Sequence, residues 1–170
     1  MKPIILDATP LIYLTKSGLG RILEELKEEK ITSPQVKREV VDEGKNWGNP
    51  DAIILEKMFQ NRVISTKEPE DDTLLETLLK TRGLHITDAE VLVIAKELHG
   101  TAIVDDAVAR KTARIYGISY AGTPHLLMKA IKQSLITKER AKQAIKDMVS
   151  EGWRCDIETY TQIMDAIDKL

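Results

Sequence analysis

Five short apolar runs, each separated from the next by helical segments, constrain this chain more than any other feature. They are Ile4-Ile5-Leu6, Lys30-Ile31-Thr32, Val63-Ile64-Ser65, Ala102-Ile103-Val104 and Ile118-Ser119-Tyr120-Ala121. Strands this apolar are buried on both faces, and helices between successive strands are the crossovers a parallel sheet requires. The pattern predicts a three-layer α/β/α sandwich around a central, mostly parallel five-stranded sheet. With 170 residues the chain is long enough for one such domain and too short for two ordinary ones. Residues 1–132 carry the alternating pattern. Residues 133–170 read as a C-terminal extension of two helices, capped by Thr137 and Asp156 and packed on the same domain.

The clearest segment is Thr87 to Ala113, which reads as helix, turn, buried strand and helix. Thr87 is the expected N-cap, with Glu90 three residues on completing a capping box. Val91, Leu92, Ile94, Ala95 and Leu98 give one apolar face, and Gly100 ends the helix. Ala102-Ile103-Val104 then runs directly into Asp105 and Asp106. The helix after them carries Arg110, Lys111 and Arg114. Thr9-Pro10, Ser33-Pro34 and Thr123-Pro124 each read as an N-cap with proline at the first helical position.

Open α/β sheets bind ligands outside the carboxyl ends of their strands. Asp7 ends the first strand, and Asp105 and Asp106 end the fourth. Asp88 lies on the first turn of the helix before the fourth strand. Glu39 lies on a helix expected from Gln35 to Asp42, after the second strand. If strands one and four are neighbours, these acids share one edge. Each also has a local reading. Asp7 could cap the first helix, and Asp88 suits a helix first turn, where the dipole favours negative charge. Glu39 could be a solvated helix face, and one of Asp105 and Asp106 is the N-cap of the next helix. Carboxylates gathered without a cation repel one another, and a hard ion such as Mg²⁺ or Mn²⁺, bound through oxygen, relieves that repulsion.

Composition removes other chemistries. The net charge of -2 leaves no global basic field, so any nucleic-acid contact needs a local patch, for which Arg110, Lys111 and Arg114 are the candidates. Cys155 is the only cysteine, which excludes an internal disulfide and a cysteine-rich zinc site and fits a reducing, cytoplasmic setting. No apolar run is long enough to span a membrane. His85, His99 and His125 fall in unrelated contexts, and no glycine-rich phosphate loop occurs.

Four motifs in order resemble the PIN domain family of Mg²⁺-dependent ribonucleases. They are I-I-L-D-A-T-P-L-I from Ile4, S-P-Q-V-K-R-E-V from Ser33, T-D-A-E-V-L-V-I-A from Thr87, and I-V-D-D from Ile103. G-I-S-Y-A-G-T from Gly117 completes the match, which covers residues 3 to 132. The resemblance implies that Asp7, Glu39, Asp88 and the Asp105/Asp106 pair are catalytic. Asp7, Asp88, Asp105 and Asp106 would hold Mg²⁺ or Mn²⁺, and RNA would be hydrolysed by metal-activated water. The toxins of VapBC-type toxin–antitoxin pairs are similar in size and motif order, which implies an antitoxin partner and a homodimer or higher oligomer. Ile157, Tyr160, Ile163 and Ile167 of the tail also exceed the apolar content one small domain needs. Many family members carry Thr or Ser where this chain has Val104. That departure keeps a second reading in play, a catalytically weakened PIN-like module that binds RNA or protein. A receiver-like signalling domain is a third, opposed by Ser65-Thr66-Lys67, where the phosphoacceptor carboxylate should stand.

Overall fold

The computed structural model describes residues 1–170 and contains the expected sheet, with every strand pair parallel. The strands are β1 (Ile4–Leu6), β2 (Lys30–Thr32), β3 (Ser65–Thr66), β4 (Thr101–Ile103) and β5 (Tyr120–Ala121), in the order β3-β2-β1-β4-β5. The order reverses at β1, so β1 and β4 are neighbours and their carboxyl ends open onto a common crevice. Register pairs Ile5 with Ala102 and Leu6 with Ile103. β3 begins two residues later than Val63, because the Val63 and Ile64 N–H groups donate to the Met58 carbonyl and not to β2.

Helices cover both faces. The first are α1 (Ala8–Lys16), α2 (Arg21–Glu25) and α3 (Pro34–Lys37). The helix opened by α3 does not stop at Asp42. It passes through a π-helical stretch, Arg38–Glu43, into α4 (Gly44–Asn46). α5 (Pro50–Gln60), α6 (Asp72–Leu79), α7 (Ile86–Glu97), α8 (Ala107–Ile115) and α9 (Thr123–Lys132) follow. α10 (Lys138–Ser150) and α11 (Ile157–Asp168) form the C-terminal extension, with α10 packed on α1 and α9. Thr137 and Asp156 cap these two helices as expected, each accepting the backbone N–H three residues on.

One apolar cluster runs from β1 (Ile4, Ile5, Leu6) through α7 (Leu92, Ile94) into the extension (Ala144, Ile145, Met148). Ile163 and Ile167 of α11 are buried within this chain, Tyr160 is half-buried, and Ile157 alone stands out at 86% exposed. Most of the tail's apolar side chains therefore find their partners in the same molecule.

Candidate active site

Asp7 follows β1 directly, and its backbone N–H donates to the carbonyl of Ile103 at 3.2 Å, which ties it to the end of β4. It occupies the N-cap position of α1, one residue ahead of Ala8, yet its side chain makes no capping bond. Thr9-Pro10 is thus not the cap expected from the sequence; both residues already lie inside the first turn. Asp7 is only 6% exposed, and its Oδ1 is buried with no hydrogen-bond partner. A partnerless carboxylate oxygen in a folded interior is expensive and calls for a cause.

Asp88 reaches the same edge from α7. In a parallel sheet the helix leading into β4 runs back across the sheet, so its N-terminus lies at the strands' carboxyl ends. The cap of α7 differs from the Thr87/Glu90 box expected. The helix starts at Ile86 with His85 at the N-cap, and Asp88 Oδ2 accepts the His85 backbone N–H at 3.2 Å. Glu90 is therefore beyond the first turn, and its Oε2 is buried without a partner. Glu39 lies at the start of the π-helical stretch and is half-buried. π-helical turns occur mostly as isolated bulges in α-helices and often at functional sites.

The two strand-end aspartates have separate tasks. Asp106 is the N-cap of α8, its Oδ1 accepting from Val108 and Ala109 N–H, both at 2.9 Å. Asp105 turns the other way. Its Oδ1 accepts the Thr123 backbone N–H at 2.7 Å, and its Oδ2 accepts the Thr123 hydroxyl at 2.5 Å and the Trp153 indole N–H at 3.1 Å. Thr123 is the first residue of α9, whose N-cap is Gly122, not Thr123. A Cβ at Gly122 would stand 2.9 Å from Asp105 Oδ1, so only glycine lets the carboxylate approach this closely. Val104 is wholly buried in the core, and the hydroxyl that meets Asp105 is that of Thr123.

Electrostatics show that the acids gather. Burial pushes the Asp7 carboxyl from 3.8 up to about 8; Asp88, Glu39 and Asp105 add to the rise, while the Ala8 amide opposes it. Asp88 is also raised, first by burial, with Asp106 contributing and the His85 amide and imidazole opposing. Glu39 is raised by burial, then by Glu43 and Asp88. None of these acids takes part in a salt bridge.

Beside the cluster lies an open groove of about 1200 Å³ between the sheet edge and the α10–α11 turn. Asp105, Asp106, Arg110, His125, Trp153 and Arg154 line it. Of the three basic candidates on α8, Arg110 faces this groove and also lies over the Tyr120 ring, 5.8 Å from its centroid. Lys111 and Arg114 are exposed and line no part of it.

A family model for the PIN domain matches residues 3–169, nearly the whole chain. The chain belongs to the PIN domain family. No curated protein matches it. PIN domains are typically nucleases and generally use divalent metal ions. The residues of this PIN domain suit such an ion chemically: all the gathered groups are oxygen donors, no side-chain cation neutralises them, and Asp7 Oδ1 lacks any partner. They are not a finished cage, since no three His, Cys, Asp or Glu side chains are placed to hold one ion together. Mg²⁺ is ordinarily bound by one or two carboxylates plus water, so a looser arrangement suffices for it.

Thr123 and Trp153 were not signalled as site residues by the sequence. Thr123 read as a helix cap, and Trp153 followed Gly152 in a tail whose composition matches the rest of the chain.

Proposed function

We propose that this PIN domain is a metal-dependent endoribonuclease that hydrolyses RNA phosphodiester bonds at the Asp7–Glu39–Asp88–Asp105 edge. The observation that carries the reading is Asp7: a carboxylate with an orphan oxygen, held protonated near neutral pH first by its burial and then by acids that no cation balances. Nothing in the fold itself requires such a group, and a bound divalent cation explains it. Mg²⁺ or Mn²⁺ at this edge would activate water and stabilise the charge of the displacement. Asp7, Asp88 and Asp105 would hold it, with Asp106 reaching it through its oxygen free of the cap.

The remaining work falls to this chain's own groups. Glu39, half-buried and raised by burial above an ordinary carboxyl, is suited to accept a proton from a water and to orient it through hydrogen bonds. Asp88 is steadied by the His85 amide, which leaves its other oxygen free toward the cluster. Arg110 stands at the groove beside Asp106, where its guanidinium can hold a phosphate of the strand. The openness of the groove supports single-stranded or looped RNA as the substrate. Similarity in motif order to VapBC-type toxins extends the proposal to a toxin restrained by an antitoxin partner.

The test is cleavage of a labelled single-stranded RNA by protein stripped with EDTA and then supplied with Mg²⁺ or Mn²⁺. Cleavage should need the ion, and a double Asp7→Asn, Asp105→Asn variant should lose both cleavage and Mn²⁺ binding by calorimetry. Full cleavage in EDTA, or unchanged Mn²⁺ binding in the double variant, overturns the assignment.

A further inference from the structure

The hydrogen bond from Trp153 to Asp105 joins the C-terminal extension to the acidic edge across 48 residues. Its origin is local. α10 ends at Ser150, and Gly152 follows with φ +102, a conformation L side chains rarely adopt. The Gly152 N–H donates to Val149 O at 3.1 Å and the Trp153 N–H to Met148 O at 2.9 Å. This is the Schellman arrangement, the 5→2 and 6→1 bonds that close a helix on glycine. It fixes the direction in which Trp153 leaves the helix. The side chain is 7% exposed and packs with the main core. Its one polar atom points at Asp105 Oδ2.

The count of bonds on Asp105 gives this contact its meaning. An ionised carboxylate offers about four acceptor sites. Thr123 fills two and Trp153 a third, leaving one for anything bound at the edge. No other acid of the cluster has donors from two other elements: Asp106 accepts two amides of its own helix, Asp88 accepts one, and Asp7 Oδ1 has no partner. Asp105 is the rigid member of the set, and Trp153 completes its rigidity.

We propose that Trp153 is a positioning residue for the reaction, and that the α10–α11 turn is an integral wall of the site. The inference rests on the nuclease reading above and goes beyond it in assigning a function to the extension. The indole N–H fixes the rotation of the Asp105 carboxylate, and with it the direction of the one acceptor left for the edge it shares with Asp7. Partners of this kind behind a metal-ligating carboxylate orient the ligand, and their loss typically reduces ion affinity or activity about 10-fold to 100-fold.

The experiment uses the full chain with Trp153→Phe, which keeps an aromatic ring in the core and removes the N–H. Mn²⁺ affinity by calorimetry should fall about 10-fold and kcat on single-stranded RNA by a similar factor, with KM for RNA within about twofold. A purely packing role would lower Tm and leave ion affinity and kcat untouched. That result, in a folded variant, overturns the proposal while leaving the nuclease reading intact. A parent that neither binds Mn²⁺ nor cleaves RNA overturns the nuclease reading, and this proposal with it. A second measurement needs no change at position 153. The parent has two indole N–H resonances, and Trp47→Phe identifies the other, since Trp47 is 81% exposed. Mg²⁺ should move the Trp153 indole resonance saturably and leave that of Trp47 in place. An unmoved Trp153 resonance at saturating Mg²⁺ overturns the proposal even if Trp153→Phe fails to fold.

Discussion

Asp7→Asn should stabilise the metal-free protein, and by an amount that grows with pH. The parent's Asp7 titrates at 3.8 when unfolded and at about 8 when folded. Below pH 3.8 both states hold the proton and Asp7 contributes no penalty. Between those values the folded state keeps a proton that the unfolded state has released, so folding must take up a proton and stability falls as pH rises. At about 1.4 kcal/mol per pH unit, the penalty reaches about 4 kcal/mol at pH 7. It levels off above pH 8, where both states are ionised. Asparagine is neutral at every pH, is an equally good residue for the N-cap position, and offers amide hydrogens to the acids around it.

The assay is thermal unfolding in EDTA from pH 5 to pH 8.5, parent against Asp7→Asn. From pH 5 to pH 8 the gap between them should widen by about 3 to 4 kcal/mol, or about 10 °C in Tm for a chain of this size. Asp88 and Glu39, also raised, slope both curves in the same direction, so the difference between the curves isolates Asp7. Saturating Mg²⁺ should reverse the order, because binding to the folded parent alone adds stability that Asp7→Asn cannot gain. Parallel curves in EDTA would refute the reasoning: Asp7 would then be ionised and satisfied in the fold, and the case for a missing cation would lose its main support.

Glu39→Gln should abolish cleavage with Tm at or above the parent's, because it removes one charge from a repulsive set, whereas the exposed Glu43→Gln should leave cleavage intact; equal activity in the two variants would displace Glu39 from the site. Glu90→Ala should leave Tm unchanged or raised, since Glu90 caps nothing and its Oε2 has no partner; a loss above ~1 kcal/mol would reveal one. Arg110→Ala should weaken RNA binding and reduce the salt dependence by about one ion, while a Lys111→Ala, Arg114→Ala double variant should have the smaller effect; the reverse order would place the strand on the outer face of α8.

What could be read from the sequence was what local chemistry decides. Ile4–Leu6 and Lys30–Thr32 were legible to the residue, the first as an apolar run ending on Asp7, the second as Ile31 and β-branched Thr32 closed by the Ser33-Pro34 helix start. The neighbouring of β1 and β4 followed only as a condition, yet once met it placed Asp7 and Asp105 together. Helix starts were less secure. Proline lacks an N–H, and the first turn of a helix leaves its N–H groups unpaired, so proline fits at several first-turn positions. Ser33-Pro34 did mark cap and first residue, but Pro10 and Pro124 stand at the third and second helical positions. At α7 two boxes competed, Thr87 with Glu90 and His85 with Asp88. The second prevailed, and it gave Asp88 a structural bond alongside its place at the site. The π-helical stretch that carries Glu39 had no local signature at all.

The division of labour among the acids depends on pairings that no window of sequence contains. Asp105 and Asp106 are chemically identical neighbours on one strand end. What separates them is that Asp106 faces the two free amides of its own helix, while Asp105 faces Thr123, 18 residues on, and Trp153, 48 residues on. A carboxylate with three donors set around it is oriented before anything binds, whereas Asp7 is buried among like charges with its Oδ1 unpartnered. Those two conditions complement each other. An anchored ligand sets geometry, and an unsatisfied one supplies the driving force for a cation to enter. The extension matters because it provides one of the anchoring donors: Ala144, Ile145 and Met148 lock α10 into the shared core, the Gly152 turn aims Trp153, and Trp153 closes on Asp105. Packing far from the sheet edge is thereby transmitted to the orientation of a single carboxylate within it.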